Sequence, residues 1–287
     1  MKTGILVFLL IFVLTYCKSS ITKGNETLKG VVYLQKDKEI AEQVIKKFSA
    51  AKNLSTAELV TKIGLFFKET PYVAHTLEVE PEQLVINLRE FDCTTFAESV
   101  LAITRTIKSK TPSFEQFAYE LQNIRYRNGE IDGYTSRIHY FSDWIFENNK
   151  RNFIRDVSEE IAKIHYPLEV NFMSTHPASY IQLKNSMLIP VIAKQEKEIS
   201  ARQMFFIPEE KLAEIEHLLK DGDIAGITTN VKGLDISHVV ILQRIAGSVH
   251  ILHASSTAKK VILSVETLKE YLKSSKSVTG IMVARSL

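Results

Sequence analysis

Apolar residues between Asp37 and Phe67 recur three or four positions apart, as they do on one face of a helix. Val44 and Ile63 belong to this pattern. Such spacing lets one side of a helix pack against a core. We therefore expect residues 37–67 to be largely helical.

A second apolar stripe begins just after Asp92. Its residues are Phe96, Val100, Ile103 and Ile107. They fall at i, i+4, i+7 and i+11, so they form one continuous helix face. Asp92 is the expected N-cap, because its carboxylate can accept hydrogen bonds from amides of the first turn. Residues 113–127 and 142–148 predict further helices, and the stretch 156–200 predicts a long connection with a few short strands.

The C-terminal third alternates between apolar and polar residues, as strands do. Residues 236–244 and 249–255 predict a β-hairpin that turns at Ala246-Gly247. Residues 259–265 and 278–286 predict two more strands. Helices followed by antiparallel strands indicate an α+β fold.

The first residues follow a different pattern. A lysine precedes an unbroken apolar run from Ile5 to Leu14, which is too short to span a bilayer comfortably. This pattern is typical of an export signal, so we expect residues 1–17 to be a signal peptide and residues 18–35 a tether. The letters "LTYC" also resemble a bacterial lipobox in which Cys17 carries a lipid, although a tyrosine stands where a small residue is usual. Lipidation and simple cleavage both remain open, and either predicts export to the cell envelope or periplasm, with a lipid anchor to the membrane in the first case.

Composition narrows the class of protein. The chain is 45% hydrophobic and 24% charged, which is ordinary for a globular protein. Its net charge of +3 comes without a basic stripe, so we expect no nucleic-acid partner. Of its two cysteines, Cys17 belongs to the signal segment, which leaves Cys93 as the single thiol of the folded part. No internal disulfide is then expected, and Cys93 becomes a candidate for chemistry.

The predicted hairpin offers Cys93 two partners. A two-residue turn at Ala246-Gly247 makes His238 and His253 diagonal neighbours on one face, roughly 7 to 8 Å apart. A thiol, a base and a residue that orients the base are what nucleophilic catalysis requires. Because a helix N-terminus and an adjacent imidazolium lower the pKa of a thiol to well below about 7, we expect a Cys93 thiolate.

The same residues also fit a structural interpretation. A lone cysteine beside apolar residues is more often part of a core than a nucleophile. Histidines on strands commonly have structural roles as well. The spacing by itself therefore leaves both interpretations open.

Three motifs favour the catalytic interpretation. In chain order, "DCTTF" at a helix start, "SHVVIL" on a strand and "VHILHAS" on the next strand resemble the NlpC-type bacterial cell-wall cysteine peptidases. The resemblance implies a papain-like fold, with a nucleophile helix packed on a small antiparallel sheet. It assigns Cys93 as the nucleophile, His238 as the base and His253 as the third catalytic residue. It also matches Tyr72 to a tyrosine that lines the site in these enzymes.

Longer motifs, among them "NLREFDCTTF", "YTSRIHYFSDW" and "DISHVVIL", are similar to the N-acetylmuramoyl-L-alanine amidase-like branch of that superfamily. The resemblance implies cleavage of the amide between muramic acid and L-alanine in peptidoglycan-derived muropeptides, without a metal or organic cofactor. It further implies that residues 36–287 form a single catalytic domain with an insertion at about 109–205. Where the branch usually has glycine this chain has Val240, which we expect a core-facing strand to tolerate.

A charged and aromatic cluster supplies candidates for substrate binding. Its members are Arg137, His139, Tyr140 and Trp144. Aromatic rings stack on sugars and arginine pairs with carboxylates, so the cluster suits a sugar that carries a peptide. A surface helix with its aromatic side on the core explains the same residues. Asp92 and Ser237 are further candidates because they adjoin the nucleophile and the base, and Asp92 serves first as a helix cap.

Other functions remain open. A zinc amidase would break the same bond, but His250 and His253 point to opposite faces of a regular strand and no H-E-x-x-H helix exists. An endopeptidase of the same superfamily would cut D-glutamyl–diamino-acid bonds, and a non-catalytic lipoprotein would bind wall fragments. The sequence leaves the oligomeric state open, as well as the choice between intact wall and soluble fragments.

Overall fold

The computed structural model describes residues 30–287 of the chain. Its helices are α1 (Gln35–Phe48), α2 (Thr56–Phe66), α3 (Cys93–Lys108), α4 (Phe114–Arg125), α5 (Phe141–Lys150), α6 (Ser158–Ala162), α7 (Phe172–Thr175), α8 (Ile189–Ser200), α9 (Leu212–Ile215) and α10 (Leu268–Lys273). In this part of the chain no helix combines the length and the apolar character needed to cross a membrane. The predicted signal peptide and most of the predicted tether lie outside the described residues.

The strands are β1 (Val31–Val32), β2 (Leu84–Val85), β3 (Ile154–Asp156), β4 (Ile164–Tyr166), β5 (Met204–Pro208), β6 (Ile224–Thr229), β7 (Ile236–Ile245), β8 (Ser248–Ser255), β9 (Lys260–Thr267) and β10 (Val278–Ser286). Eight of them form one sheet in the order β4-β5-β10-β6-β7-β8-β9, with β3 also paired to β10. Every pair in this sheet is antiparallel. The short strands β1 and β2 form a separate parallel pair. The protein therefore has the expected α+β fold, with helices packed on an antiparallel sheet.

The hairpin of β7 and β8 has the predicted register. Ile241 pairs with Leu252, and the pairing continues to Ile245 and Ser248. The two turn residues, Ala246 and Gly247, have φ angles of 49° and 94°. Positive φ at both positions is what a type I′ turn requires, and this turn matches the twist of the strands it joins. The predicted two-residue turn is confirmed.

The sheet is buried on both faces. On β7, Val239 and Ile241 belong to the core that includes the residues of α3, whereas Val240 and Leu242 belong to a second core that includes those of α10. Successive side chains of a strand point to opposite faces, so α3 and α10 cover opposite sides of the hairpin. Val240 is fully buried in the second core, so its expected core-facing position is confirmed.

The stretch 156–200 contains more regular structure than its pattern predicts. It ends in α8, a helix of 12 residues whose buried members are Ile192, Glu196 and Ile199. Because one member of this buried stripe is a carboxylate, the apolar period is weak and the helix was missed. Residues 209–220, which predict one helix, instead form short helical turns around α9.

Candidate active site

Cys93 is the first residue of α3, at the place where a cap fixes the start of the helix. The Thr95 amide donates to Asp92 Oδ1 at 2.8 Å, and the Asp92 amide donates to Thr95 Oγ1 at 2.9 Å. This reciprocal pair is a capping box, so the predicted N-cap is confirmed. Its effect is to hold the Cys93 side chain at the end of the helix, where it is partly exposed.

His238 and His253 are brought together by the hairpin. The two imidazoles lie on neighbouring strands, with His238 Nε2 2.6 Å from His253 Nδ1. One of these nitrogens must donate and the other accept, so the rings share one proton across this contact. If Nε2 of His238 donates, its Nδ1 is left as a basic nitrogen. The predicted pairing of the two histidines on one face is confirmed.

The thiol and this imidazole face the same space. Cys93, Ser237 and His238 line one cavity of about 220 Å³. Within residues 30–287 no hydrogen bond joins the thiol to His238, and Sγ lies 4.0 Å from Thr94 Oγ1. Catalytic hydrogen bonds often form only when the substrate binds, so a shared cavity is the relevant observation for this pair.

Both groups are neutral in this arrangement. Burial and, next, the Asp92 carboxylate raise the pKa of the Cys93 thiol to about 11, although backbone hydrogen bonds from Val239 and Thr94 partly offset this. Burial and then His253 lower the pKa of His238 to about 3, and burial lowers the pKa of His253 to about 4. These surroundings therefore oppose the expected Cys93 thiolate. The sequence argument included the helix dipole but not the loss of solvent around the sulfur.

Four of the predicted substrate-binding residues line the cavity, namely His139, Tyr140, Trp144 and Ser237. Burial and then the Arg137 charge lower the pKa of His139 to about 3, so its ring is neutral. Its Nε2 lies 3.1 Å from the Tyr134 carbonyl oxygen and must donate to it, which leaves Nδ1 as an acceptor. Trp144 is 4% exposed, and its Nε1 has no hydrogen-bond partner among the described residues.

Tyr140 is held in a fixed position by a helix from the stretch 109–205. Its hydroxyl donates to Glu196 Oε1 of α8 at 2.7 Å and accepts from the Met173 amide at 3.0 Å. Both hydrogen bonds are buried, and so is the Tyr140 side chain. Met173 lines the cavity as well. The stretch 109–205 therefore supplies both the wall of the cavity and the groups that fix it.

Arg137 has a different environment from its neighbours in sequence. Its guanidinium lies 3.4 Å from Glu78 and 3.3 Å from Glu82, is buried, and does not line the cavity. The structure thus places this side chain in an ion pair beneath the site rather than in the space where a ligand would lie. Its predicted contact with substrate stays a prediction.

Tyr72 lies close to the start of α3. Its amide donates to the Lys259 carbonyl at 2.9 Å, and its backbone bridges to Phe91. Burial raises the pKa of the Tyr72 phenol, and the Asp92 carboxylate and an ionised Cys93 add to this effect. The phenol is therefore near enough to both groups to feel their charge, as the predicted role requires.

Two further residues surround the site, Asp235, which the sequence places in the loop before His238, and Tyr271, which has no clear sequence signal. Asp235 is buried and accepts hydrogen bonds from the amides of Ser142 at 2.7 Å and Ile236 at 2.8 Å, so it joins the start of α5 to the start of β7. Tyr271 on α10 places its ring centroid 6.3 Å from that of His238 and 6.0 Å from that of His253. Their proximity depends on packing between distant segments, which local spacing does not reveal.

Comparisons with known proteins identify the family. A family model described as N-acetylmuramoyl-L-alanine amidase-like matches residues 62–281. The chain belongs to this family. Among curated protein sequences, the comparison finds no match.

Solved structures of similar proteins extend the amidase-like comparison. An N-acetylmuramoyl-L-alanine amidase from Bacteroides uniformis is 43% identical, with a TM-score of 0.77 over 80% of this chain and 98% of that one. A proposed xylanase from Bacteroides fragilis is 44% identical, with a TM-score of 0.75 over 78% of this chain and 99% of that one. A protein from Legionella pneumophila is 22% identical, with a TM-score of 0.68 over 87% of this chain and 95% of that one. At this identity the comparison shows that the two proteins share a fold.

Proposed function

We propose that this amidase-like protein is a cysteine hydrolase that cleaves the amide between N-acetylmuramic acid and L-alanine in peptidoglycan fragments. The observation that carries the proposal is that Cys93 and His238 line the same cavity, and that the His238 ring is hydrogen-bonded to His253. A nucleophile, a base and a residue that orients the base are the parts that acyl transfer needs. The papain-like relation to NlpC-type peptidases belongs to the same proposal.

In the proposed mechanism the proton leaves the thiol as the sulfur attacks. Because the pKa of Cys93 is raised and that of His238 is lowered, a separate thiolate is unfavourable beforehand. His238 takes the proton through Nδ1 while Sγ bonds to the amide carbon, and N–H groups at the start of α3, which lack partners within the helix, stabilise the oxyanion.

The second half of the reaction returns the enzyme to its starting state. As the C–N bond breaks, His238 gives its proton to the leaving nitrogen, and a thioester to Cys93 remains. Water then attacks the thioester while His238 accepts a proton from it. The carboxylic acid departs, and the proton returns to the sulfur. His253 keeps the His238 ring oriented through the 2.6 Å hydrogen bond, as the third member of a catalytic triad does.

The walls of the cavity suit the sugar side of this substrate. The ring centroids of Trp144 and Phe141 lie 5.4 Å apart in a stacked pair, and both residues line the cavity, as aromatic residues commonly do in ligand pockets. The Nε1 of Trp144 is buried without a hydrogen-bond partner among the described residues, and His139 contributes an acceptor Nδ1 beside it in the lining. We assign the muramoyl group to this cavity.

The xylanase description of the Bacteroides fragilis relative raises glycoside hydrolysis as another reaction. Such hydrolysis needs two carboxyl groups free to act as an acid and a base or nucleophile. The two carboxyl groups that line the cavity belong to Glu98 and Asp235. Glu98 is paired with Arg125 at 2.7 Å, and Asp235 accepts from two backbone amides. Amide hydrolysis by Cys93 therefore fits the cavity better.

The test is an assay of the purified protein on muropeptides with product masses recorded. We expect release of the intact stem peptide together with free muramic acid from the wild type, and a loss of at least about 10³-fold in rate for Cys93→Ala, because the covalent route is removed. An L-Ala-D-Glu fragment still joined to muramic acid would instead support the D-glutamyl–diamino-acid endopeptidase. Equal rates for wild type and Cys93→Ala, or no hydrolysis at all, would favour a non-catalytic binder of wall fragments.

Export to the cell envelope completes the proposal. The apolar run before Cys17 supports it, since the substrate also lies outside the cytoplasm. Expression in a bacterial host, followed by fractionation and mass analysis of the N-terminal peptide, separates a lipid on Cys17 from simple cleavage. A full-length protein recovered from the cytoplasm with residues 1–17 intact would contradict export.

A further inference from the structure

A second depression lies beside the histidine pair. This hydroxyl groove has a volume of about 620 Å³ and is lined by hydroxyl side chains of the turn after β8 and of the end of α10. They are Ser255, Ser256, Thr257, Tyr271, Ser274 and Ser275. Ser237 and His238 line both the groove and the cavity that holds Cys93, so they mark the boundary between the two spaces.

We propose that the hydroxyl groove binds the leaving side of the substrate, as a short peptide held through its amide groups; this inference rests on the proposed function. Cys93 lines the cavity and not the groove, and His238 stands between them. The acyl carbon must reach Cys93, whereas the leaving nitrogen must reach His238 to receive its proton. A substrate chain that crosses the site therefore continues past His238 on its nitrogen side, into the groove.

The side chains of the groove suit a peptide backbone. A hydroxyl can both donate and accept, so a row of hydroxyls matches the alternating N–H and C=O groups of a peptide. Among the described residues the hydroxyls of Ser256, Thr257 and Tyr271 have no protein partner, and those of Ser256 and Thr257 are on exposed residues. By contrast, the Ser274 hydroxyl already donates to the Tyr271 carbonyl at 2.7 Å.

The charge of the groove is low. Glu266 is the one Lys, Arg, Asp or Glu side chain among its described lining residues. Binding in this groove therefore depends on hydrogen bonds rather than on ion pairs with the carboxylates of a peptide. Salt screens ion pairs but affects neutral hydrogen bonds little, so KM for peptide-bearing substrates is expected to change less than about twofold between 0.05 and 0.5 M NaCl.

The experiment compares substrates that differ in peptide length. One substrate is N-acetylmuramoyl-L-alanine and the other carries a tripeptide, and the measured quantity is the ratio of their kcat/KM values. In the wild type we expect the ratio to favour the tripeptide. The double variant Ser256→Ala/Thr257→Val removes two hydroxyls with little change of shape and lowers this ratio about tenfold, as loss of hydrogen bonds to a ligand does.

Thr111→Val is the matched control. Thr111 is also exposed, but it follows the far end of α3, a helix of 16 residues and so about 24 Å long from Cys93 to its end. This variant is expected to keep the wild-type ratio. Thermal unfolding of each variant, followed by circular dichroism, verifies that the fold is intact.

The possible outcomes separate the groove from the reaction. If the enzyme cleaves both substrates and the double variant keeps the wild-type ratio, the groove assignment is overturned and the proposed function stands. If the wild type cleaves nothing, the proposed function fails, and calorimetric titration of Cys93→Ala with the free tripeptide tests the groove separately. Saturable binding that the double substitution removes supports the groove assignment. Absence of binding overturns the groove assignment.

Discussion

At the scale of single residues, the protein holds its nucleophile and base neutral by burial. The Cys93 sulfur lies between the start of α3 and the amide of Val239, with Asp92 beside it, and these surroundings favour the thiol over the thiolate. The two imidazoles are likewise kept neutral, mainly by burial. The site therefore differs from one that stores a thiolate–imidazolium pair, in which the thiol pKa lies well below its ordinary value.

The ionisation of Cys93 can be measured through its alkylation. We expect the rate of iodoacetamide modification at Cys93, followed by peptide mass mapping, to rise about tenfold per pH unit between pH 7 and 9, because the thiolate is the reactive form and the pKa is raised. Mapping separates this site from Cys17. A rate that stays constant between pH 6 and 8 would mean that the thiolate already exists in the free enzyme.

The neutral histidines also make stability depend on pH. The pKa of His253 is about 4 in the folded protein against an ordinary value of 6.5, so its contribution is complete above about pH 6.5 and is lost as the pH falls toward 4. We expect the free energy of unfolding to decrease between pH 7 and pH 5 in both the wild type and His253→Gln. The decrease in the wild type should be larger by about 1 to 2 kcal/mol, because only the wild type has to charge this buried ring.

Urea titrations at the two pH values measure this difference. His217→Gln is the control, because His217 is exposed on the surface, and it is expected to keep the wild-type dependence. Identical pH dependence in wild type and His253→Gln would mean that burial does not disfavour the charged form of this ring.

At the scale of elements, the cavity depends on how closely α5 approaches the sheet. Phe141, the first residue of α5, packs on Gly226 of β6, where a Cβ atom would clash with the Phe141 ring and lie 2.8 Å from Ile236 Cγ2. The same Phe141 ring lines the cavity. Glycine at this position therefore sets the depth at which the wall of the cavity sits.

Gly226→Ala tests this contact. We expect the added methyl group to displace Phe141 toward the cavity, to lower the free energy of unfolding by about 1 to 3 kcal/mol, and to raise KM for muropeptides severalfold. Urea unfolding and steady-state kinetics measure the two effects. The double variant Gly226→Ala/Phe141→Leu makes room for the methyl group and should recover part of the stability. If Gly226→Ala unfolds at the wild-type urea concentration, the contact is not tight.

At the scale of the whole molecule, the last strand completes the fold. β10 lies inside the sheet, between β5 and β6, and pairs with β3 as well. Its residues Ile281 to Ala284 are fully buried and contribute to both cores. The sheet that carries the histidines therefore depends on a strand that follows both of them in the chain.

Truncation tests this dependence. Deletion of residues 278–287 removes β10, and we expect the product to show no cooperative urea transition by near-ultraviolet circular dichroism, because the central strand pairs and both cores are lost. Deletion of Leu287 alone is the control, since this residue is 52% exposed and follows the strand. A cooperative transition in the longer deletion would contradict the central role of β10.

Local pattern determined much of this protein. The apolar stripe and the cap predicted α3 with Cys93 at its first position, since both signals lie within a few residues of the helix start. The alternation and the short turn predicted the hairpin and its register, which by itself makes His238 and His253 neighbours. α8 escaped prediction because its buried stripe includes Glu196, whose partner Tyr140 is distant in the chain.

Tertiary structure decided the chemistry of the site. The ionisation of Cys93 depends on how much water remains around the sulfur, and this is set by strands and helices that come from distant parts of the chain. For the same reason, spacing did not reveal that Arg137 pairs with Glu78 and Glu82, nor that Tyr271 covers the histidine pair. The sequence by itself determined which groups are present and which strands pair, because those depend on local periodicity. Burial and long-range contact determined their charge and their partners, because desolvation is a property of the assembled core.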